Sequence, residues 1–269
     1  RVSWGNSDYY EMMARLDFLP NSPTLFNGGT SRGTNSACFK FDVPDSMDGI
    51  MDVARKAALV LKFGGGVGYT LSDIRPRGAP VRTTHRSACG PVAVMKLYHQ
   101  VADMVAQGGV RPGAQMAILH CDHQDVQEFI DCKNTLDKAD QLSTFNISVA
   151  CTDSWVQEQV RLGHDSLLRR MAKNAWVTGD PGCYFIDHAE AANPTPWLGK
   201  LTGTNPCGEV PLLDNEPCNL GSINLGHFVK GQDVDWERLE QVTRLAVRYL
   251  DDALDNNFFP DQVITDAAM

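Results

Sequence analysis

The segment TNPCGEVPLLDNEPCNLGSINL, residues 204–225, places two cysteines in unusual surroundings. Cys207 stands between Asn205 and Glu209, each two positions away, and Cys218 follows eleven positions after Cys207. In an extended segment side chains two residues apart point the same way, so the spacing predicts a compact group of amide, thiol and carboxylate. The plainer alternative is a small core cysteine among turn residues, because Asn-Pro and Cys-Gly are ordinary turn dipeptides.

The carboxylate of Glu209 decides which chemistry the neighbouring thiol suits. A negative charge this close raises a thiol pKa, which disfavours a thiolate nucleophile. The pattern therefore favours a cysteine at position 207 that stays protonated and gives up a hydrogen atom. Glu209 is then free to accept a proton from a substrate.

The composition indicates a globular chain that does not bind nucleic acid polymers. Its 269 residues are 43% apolar, enough for one large domain or two small ones. A net charge of -9 argues against affinity for DNA or RNA backbones, although backbone amides can still bind small anions. Without a long apolar run or a signal peptide, the chain is expected to be cytoplasmic and to have no membrane partner. The eight cysteines form no CxxC or CxxH pair, which predicts mostly inert thiols and no metal site.

Helical periodicity alternates with short β-branched runs, which is typical of an α/β protein. Predicted helices cover residues 47–63, with Asp45-Ser46 as the cap, and residues 91–107, 124–133, 154–161, 167–174 and 236–255. Predicted strands cover residues 36–41, 68–71, 117–119, 145–150, 183–187 and 222–225. We expect one continuous domain over residues 1–269, and we expect a fragment of a longer protein because structured sequence reaches both ends.

Two glycine-rich loops are candidate ligand sites. FGGGVGYTLSDIRPRGAPV, residues 63–81, could bring backbone amides to a phosphate, but it lacks the Walker lysine and the GxGxxG spacing, so a structural turn is the alternative. QGGVRPGAQM, residues 107–116, holds Arg111 between glycines. Arg111 could reach a phosphate or stack on a base, or it could be a solvated loop residue.

Taken together, these segments resemble the large chain of ribonucleotide reductases. TNPCGE followed by CNLGSINL is similar to the active-site finger loop of that family. The other motifs occur in the family's order over nearly the whole chain: NSPTLFNGG, SACF, FGGGVGYTLSDIRPRG, SACGPV, QGGVRPGAQMAIL, FNISV and TGDPG. The glycine-rich segments most resemble the adenosylcobalamin-dependent class.

The resemblance implies a fold as well as a reaction. The fold would be about the first half of a ten-stranded α/β barrel, with the finger loop at about 204–220 and effector-site segments within 45–115. The reaction would be thiyl-radical reduction of ribonucleotides to 2'-deoxyribonucleotides, with adenosylcobalamin as the radical source. A homodimer is one assembly that the family implies.

The resemblance also assigns catalytic roles by position. Cys207 matches the cysteine that carries the thiyl radical, Glu209 matches the base that takes the 3'-hydroxyl proton, and Asn205 matches the amide that binds the substrate ribose. Cys38 and Cys218 match the dithiol that becomes a disulfide once per turnover. A thioredoxin-like protein or a small dithiol would then restore the thiols.

Substrate and effector positions follow in the same way. Thr24 would contact the substrate phosphate, with Ser36 and Ala37 beside the ribose. A deoxynucleotide or ATP effector would bind through its ribose or base to Asp45 and Ser46. Its phosphate would bind Arg75. Arg111 would carry the signal from the effector to the substrate site. Asp45 is also well placed as a helix N-cap, and the two roles are compatible.

Alternatives to this assignment remain at the level of sequence. The same reaction could depend on a separate subunit with a metal-tyrosyl radical. A non-catalytic nucleotide-binding half-barrel is a second alternative, because the chain shows no match to the family's later barrel strands or its C-terminal cysteine pair. A dinucleotide-dependent dehydrogenase is disfavoured by the spacing of the glycines.

Overall fold

A computed structural model of the chain describes residues 1–30, 33–106, 113–134 and 142–269. Its helices are α1 Ser7–Ala14, α2 Ser22–Asn27, α3 Met47–Lys62, α4 Pro91–Ala106, α5 Val126–Asp131, α6 Asp153–Leu162, α7 Leu167–Thr178, α8 Ile186–Ala191, α9 Trp236–Asp255 and α10 Gln262–Ala268. Its strands are β1 Phe18–Pro20, β2 Cys38–Asp42, β3 Gly66–Thr70, β4 Pro80–Val81, β5 Arg86–Ser87, β6 Gln115–His120, β7 Phe145–Cys151, β8 Gly182–Phe185, β9 Gly203–Thr204, β10 Pro211–Leu212, β11 Pro217–Cys218, β12 Gly221–Ile223, β13 Val229–Lys230 and β14 Asp233–Val234.

A six-stranded sheet organises the described residues, in the order β11-β2-β3-β6-β7-β8. Strands β2, β3, β6, β7 and β8 are parallel, and each lies beside the next one along the chain. Helices connect them, as parallel neighbours require. Five parallel strands in sequence order confirm the expected α/β half-barrel. The antiparallel strand β11 closes one edge against β2.

The two faces of the sheet are packed differently. Phe39 and Phe41 of β2 point to the helices, where they join Val60 and Leu61 of α3 in the main core. Alternate residues of β2 point to the opposite face, as the strand period of two demands. This opposite face carries Cys38 and is covered by residues 203–212, a segment that is called the finger hairpin below.

The start of α3 corrects one sequence expectation. Ser46 is the N-cap, because its Oγ accepts a hydrogen bond from the Gly49 backbone N–H at 3.1 Å. The N-cap role considered for Asp45 is wrong, since its carboxylate binds Arg75 instead.

Most of the predicted elements occur near their predicted places. The strand expected at 183–187 ends at Phe185, because α8 begins at Ile186. The strand expected at 222–225 is short and pairs with β1 outside the central sheet. In the part of the chain that the structure describes, the helices are too short or too polar to cross a bilayer.

Candidate active site

The finger hairpin is built from β9 and β10, which pair through Thr204 with Pro211 and Gly203 with Leu212. Its tip is a tight turn in which the Gly208 N–H donates to the Asn205 carbonyl at 3.1 Å. The extended geometry predicted for residues 205–209 is therefore wrong. Pro206 provides no backbone donor for a strand, and Gly208 adopts a left-handed φ of 82°. As a result Asn205 is buried, whereas Cys207 and Glu209 are exposed.

The finger hairpin lies directly on β3. A Cβ atom at Gly68 would lie 1.8 Å from the Thr204 carbonyl oxygen, and one at Gly66 would lie 2.7 Å from Pro206 Cγ. Glycines at these two positions allow the two backbones to touch. Gly66 and Gly68 of the first glycine-rich segment therefore have a structural role. The alternative of a structural turn predicted such a role, but not the contact with the finger hairpin.

Polar contacts fix the tip of the finger hairpin. The Asn146 amide, from β7, donates to the Pro206 carbonyl oxygen at 2.8 Å. The Asn205 side chain accepts from the Val210 N–H at 3.1 Å and donates to Cys38 Sγ at 3.4 Å. Asn205 therefore joins the finger hairpin to the strand that carries Cys38.

Cys38 and Cys218 are directly opposite each other on antiparallel strands β2 and β11. Both are buried, and neither forms a disulfide. The hydrogen bond that the Cys218 thiol donates to Cys38 raises the pKa of Cys218, and burial, the Cys38 charge and the negative charge of Glu209 raise it further. Directly opposed residues have Cβ atoms about 4.5–5.5 Å apart, close to the separation in a disulfide. The pair can therefore be oxidised with a small local shift.

A small cavity lies between Cys38 of this pair and the exposed cysteine of the finger hairpin. Its lining consists of Ala37, Cys38, Gly64, Gly65, Gly66, Ala114, Pro206 and Cys207. Cys38 and Cys207 thus border the same space. With Glu209 acting electrostatically on Cys218, the structure brings all five predicted catalytic residues into one region.

The predicted substrate-binding residues are buried more deeply than Cys207 and Glu209. Thr24 is fully buried, and its hydroxyl donates to the Asn35 carbonyl at 3.0 Å. Ser36 is also buried, and its Oγ accepts from the Asn257 amide at 2.8 Å. Ala37 precedes Cys38, and its N–H donates to the Cys218 carbonyl at 2.9 Å. Contacts of these three residues with a substrate stay predictions.

Asn257 and Asn146 support the site, but the sequence reasoning did not find them. Asn257 Oδ1 accepts from the Asn35 N–H at 2.6 Å while its amide holds Ser36. Both asparagines act across long sequence separations, so local patterns carry no signal for them. The FNISV motif quoted for the family resemblance includes Asn146 and was the only hint available.

The predicted effector residues gather at the start of α3. Asp45 accepts hydrogen bonds from the Arg75 backbone N–H at 3.1 Å and from its Nε at 2.7 Å. Both side chains are about one third exposed, with relative accessibilities of 33% and 37%. Ser46 caps the helix next to them. Arg111 lies outside the described residues.

A group of side chains with metal-ligand chemistry lies at the far end of β6. Ligand atoms of His120, Cys121 and Asp122 all lie within 4.8 Å of one another. His120 Nδ1 already accepts the Asp122 backbone N–H at 3.2 Å, and Cys121 is buried with its thiol pKa raised mainly by that burial. A cation would have to displace the hydrogen bond and the thiol proton together.

The chain has five parallel strands in sequence order, and a cysteine-bearing hairpin covers one face of the sheet. It is therefore a half-barrel protein whose candidate site is lined by thiols. The family described as "Ribonucleotide reductase, barrel domain" matches residues 36–165 and 157–269. The chain belongs to the ribonucleotide reductase family.

Curated relatives show which kind of ribonucleotide reductase the chain is similar to. A vitamin B12-dependent ribonucleoside-diphosphate reductase of Thermoplasma acidophilum is 41% identical over 274 residues, covering 95% of this chain and 35% of the relative. One of Mycobacterium tuberculosis is 40% identical, covering 96% of this chain and 39% of the relative. The structure of an Actinobacillus ureae class Id ribonucleotide reductase alpha subunit matches with a TM-score of 0.75 and 25% identity, over 92% of this chain and 46% of that one. The chain thus spans between 35% and 46% of the length of these proteins.

Proposed function

We propose that the protein containing this chain reduces ribonucleotides to 2'-deoxyribonucleotides by a thiyl-radical mechanism. The observation that carries the proposal is the finger hairpin, which places Cys207 on the same small cavity as Cys38. Cys218 lies opposite Cys38 and completes the dithiol. One thiol for hydrogen-atom transfer and two for reduction are the set that the reaction requires.

The catalytic residues divide the work between proton and hydrogen transfer. The Cys207 thiyl takes the 3'-hydrogen of the ribose and returns a hydrogen atom at the end of the cycle. Glu209, exposed on the same turn, takes the 3'-hydroxyl proton as general base. Asn205, which lies between the finger hairpin and Cys38, binds the ribose hydroxyls.

Cys38 and Cys218 supply the reducing equivalents. Replacement of the 2'-hydroxyl by hydrogen, with release of water, consumes two protons and two electrons. Oxidation of a dithiol to a disulfide supplies both, so a ribonucleotide and a dithiol give a deoxyribonucleotide, a disulfide and water. The raised pKa of Cys218 keeps its thiol protonated at neutral pH and therefore able to deliver a proton. A thioredoxin-like protein or a small dithiol then reduces the disulfide.

Adenosylcobalamin is the proposed radical source. When bound, it supplies the carbon-centred radical that accepts the hydrogen atom of Cys207. The residues present fit this chemistry, since Cys207 is exposed and Gly64 to Gly66 border it without side chains. Relatives at 40–41% identity are named vitamin B12-dependent, which favours this source over a separate metal-radical subunit.

Effector binding and assembly belong to the same proposal. A deoxynucleotide or ATP would bind at Asp45, Ser46 and Arg75, with Arg111 on the loop toward the substrate base. The ion pair of Asp45 with Arg75 would orient the guanidinium for a phosphate. The protein would act in the cytoplasm, as a homodimer if the family pattern holds.

Deoxynucleotide formation by the parent protein tests the proposal. Purified protein receives a ribonucleotide, adenosylcobalamin and a dithiol, and the product is separated by chromatography. We expect product from the wild type and from Cys89→Ser, a control at an exposed cysteine outside the site. Product from Cys207→Ala would refute the radical assignment. Nucleotide binding by the wild type without product would instead favour the non-catalytic half-barrel.

A further inference from the structure

Lys40 is a fully buried lysine on β2, with 0% of its surface exposed. Its ammonium donates to Asp42 Oδ1 and to Thr202 Oγ1, each at 2.6 Å. The Thr202 hydroxyl in turn donates to Asp42 Oδ1 at 2.8 Å. The three groups form a closed triangle, which compensates for the several kcal/mol that burial of an ammonium costs.

The triangle links the two segments that carry the reactive thiols. Lys40 lies two residues after Cys38 on the same face of β2. Thr202 directly precedes the finger hairpin, five residues before Cys207. A Cβ atom at Gly203 would lie 3.4 Å from Lys40 Cε, so the lysine stem also packs against the hairpin.

Other contacts hold Leu201, which lies next to Thr202 at the base of the finger hairpin. The Tyr184 hydroxyl, from β8, donates to the Leu201 carbonyl at 2.7 Å, and burial raises the pKa of Tyr184 to about 12, so it remains a donor. The Leu201 N–H donates to Glu190 Oε2 at 2.8 Å. These bonds fix the base from the β8 side, whereas the Lys40 triangle fixes it from the β2 side.

We propose that Lys40, acting through Thr202, is a positioning residue that sets the separation between Cys207 and the Cys38–Cys218 pair. This inference rests on the proposed function, because the substrate ribose has to fit between these thiols. Hydrogen-atom transfer requires reacting atoms about 3–3.5 Å apart, and a misplacement of about 1 Å can cost about 100-fold in rate. Lys40 does not touch the substrate in this account.

Four variants of the full-length protein separate positioning from stability. Lys40→Met removes the ammonium, and Thr202→Val removes only the hydroxyl at nearly constant shape. Lys133→Met is the matched control, because Lys133 is another mostly buried lysine with a carboxylate partner, Asp180 at 2.6 Å, and its ammonium bonds Asp180 and the Phe145 carbonyl rather than the finger hairpin. Thr202→Ser is the conservative variant that keeps the hydroxyl.

Two readouts are compared. The first is the pair of kinetic constants kcat and KM. The second is the yield of the crosslink that a short bifunctional thiol reagent forms between Cys207 and Cys38, mapped by peptide mass spectrometry. Lys40→Met is expected to lower kcat by about 100-fold, with KM nearly unchanged and the crosslink largely lost. Thr202→Val should move both readouts in the same direction and Thr202→Ser should restore them. Lys133→Met should change thermal stability but neither readout.

The positioning role is overturned if Lys40→Met and Thr202→Val lower kcat no more than Lys133→Met does, or if their crosslink yields equal that of the wild type. A wild type that forms no deoxynucleotide refutes the proposed function separately. In that case the crosslink yields alone decide whether Lys40 has a positioning role, since they do not depend on turnover.

Discussion

Gly68 and Thr204 are in backbone contact: a Cβ atom added at Gly68 would lie 1.8 Å from the Thr204 carbonyl oxygen. No side chain can occupy that space, so the finger hairpin rests on the backbone of β3. The height of Cys207 above the sheet is therefore set by a glycine 139 positions earlier in the chain.

Gly68→Ala should lift the finger hairpin and abolish most of the deoxynucleotide formation. A shift of about 1 Å is expected to cost about 100-fold in kcat, and the overpacking should destabilise the protein by about 1–3 kcal/mol. Gly226→Ala is the control, because the nearest atom there is Asn224 Oδ1 at 3.4 Å. Steady-state kinetics and thermal unfolding measure the two effects, and an active Gly68→Ala protein would contradict the contact.

The pH dependence of Cys218 alkylation reports its surroundings. Cys38 and, more weakly, Glu209 raise the pKa of Cys218, so removing either should lower the pH at which iodoacetamide modifies it. We expect a larger downward shift for Cys38→Ala than for Glu209→Gln. Peptide mass spectrometry follows the modification, with Glu240→Gln as a surface control. Unchanged profiles in both variants would show that neither group acts on Cys218.

Asp45 and Ser46 are adjacent but should respond differently to substitution. Ser46→Ala removes the α3 cap and should cost about 1 kcal/mol in the free energy of unfolding. Asp45→Asn weakens a partly exposed ion pair, so its stability cost should stay below about 1 kcal/mol. It should nevertheless weaken effector binding, because Arg75 loses its orienting partner. Urea unfolding and isothermal titration with a deoxynucleotide distinguish the two, and the reverse pattern would contradict the assignment.

Asp17 should make stability depend on acid pH. Burial alone would raise its pKa, but hydrogen bonds from Arg238 and His227 outweigh burial and hold the pKa of Asp17 below its usual value. A depressed folded-state pKa contributes stability above the unfolded value of about 3.9, and that contribution is lost as pH falls through the folded pKa.

Asp17→Asn therefore should cost about 1–2 kcal/mol at pH 7, since it weakens the bonds between a buried carboxylate, with both Asp17 oxygens 2.7 Å from Arg238 Nη2, and a guanidinium that is 40% exposed. The difference from the wild type should shrink at pH values below about 3. Denaturant unfolding at the two pH values measures it. A pH-independent difference would mean that shape, and not charge, is what Asp17 provides.

The central strands could be predicted from the sequence because a parallel sheet is buried on both faces. Runs such as residues 145–150 are nearly continuous in apolar or small residues, and they became β7 and its neighbours. Short elements were missed: α1, α2, α8 and α10 have eight residues or fewer, too few for a clear helical period. The pairings of β1 with β12 and β11 with β2 depend on partners far along the chain.

The candidate site was predictable in its residue types but not in its geometry. Alternation suggested that Asn205, Cys207 and Glu209 share one face, yet Pro206 and Gly208 turn the backbone and bury Asn205. Of the two residues predicted to cap α3, Ser46 is the N-cap and Asp45 is not. Lys40 gave no signal, because its significance comes from a contact with Thr202 that spans 162 positions.

A single-turnover experiment follows the dithiol and the radical cysteine in one sample. The full-length protein, reduced and then freed of dithiol, is mixed with a ribonucleotide and adenosylcobalamin, quenched in acid and alkylated. We expect a disulfide-linked Cys38–Cys218 peptide in proportion to the deoxynucleotide formed, while Cys207 is recovered as an alkylated thiol. Deoxynucleotide formation with Cys38 and Cys218 both alkylated would contradict this expectation.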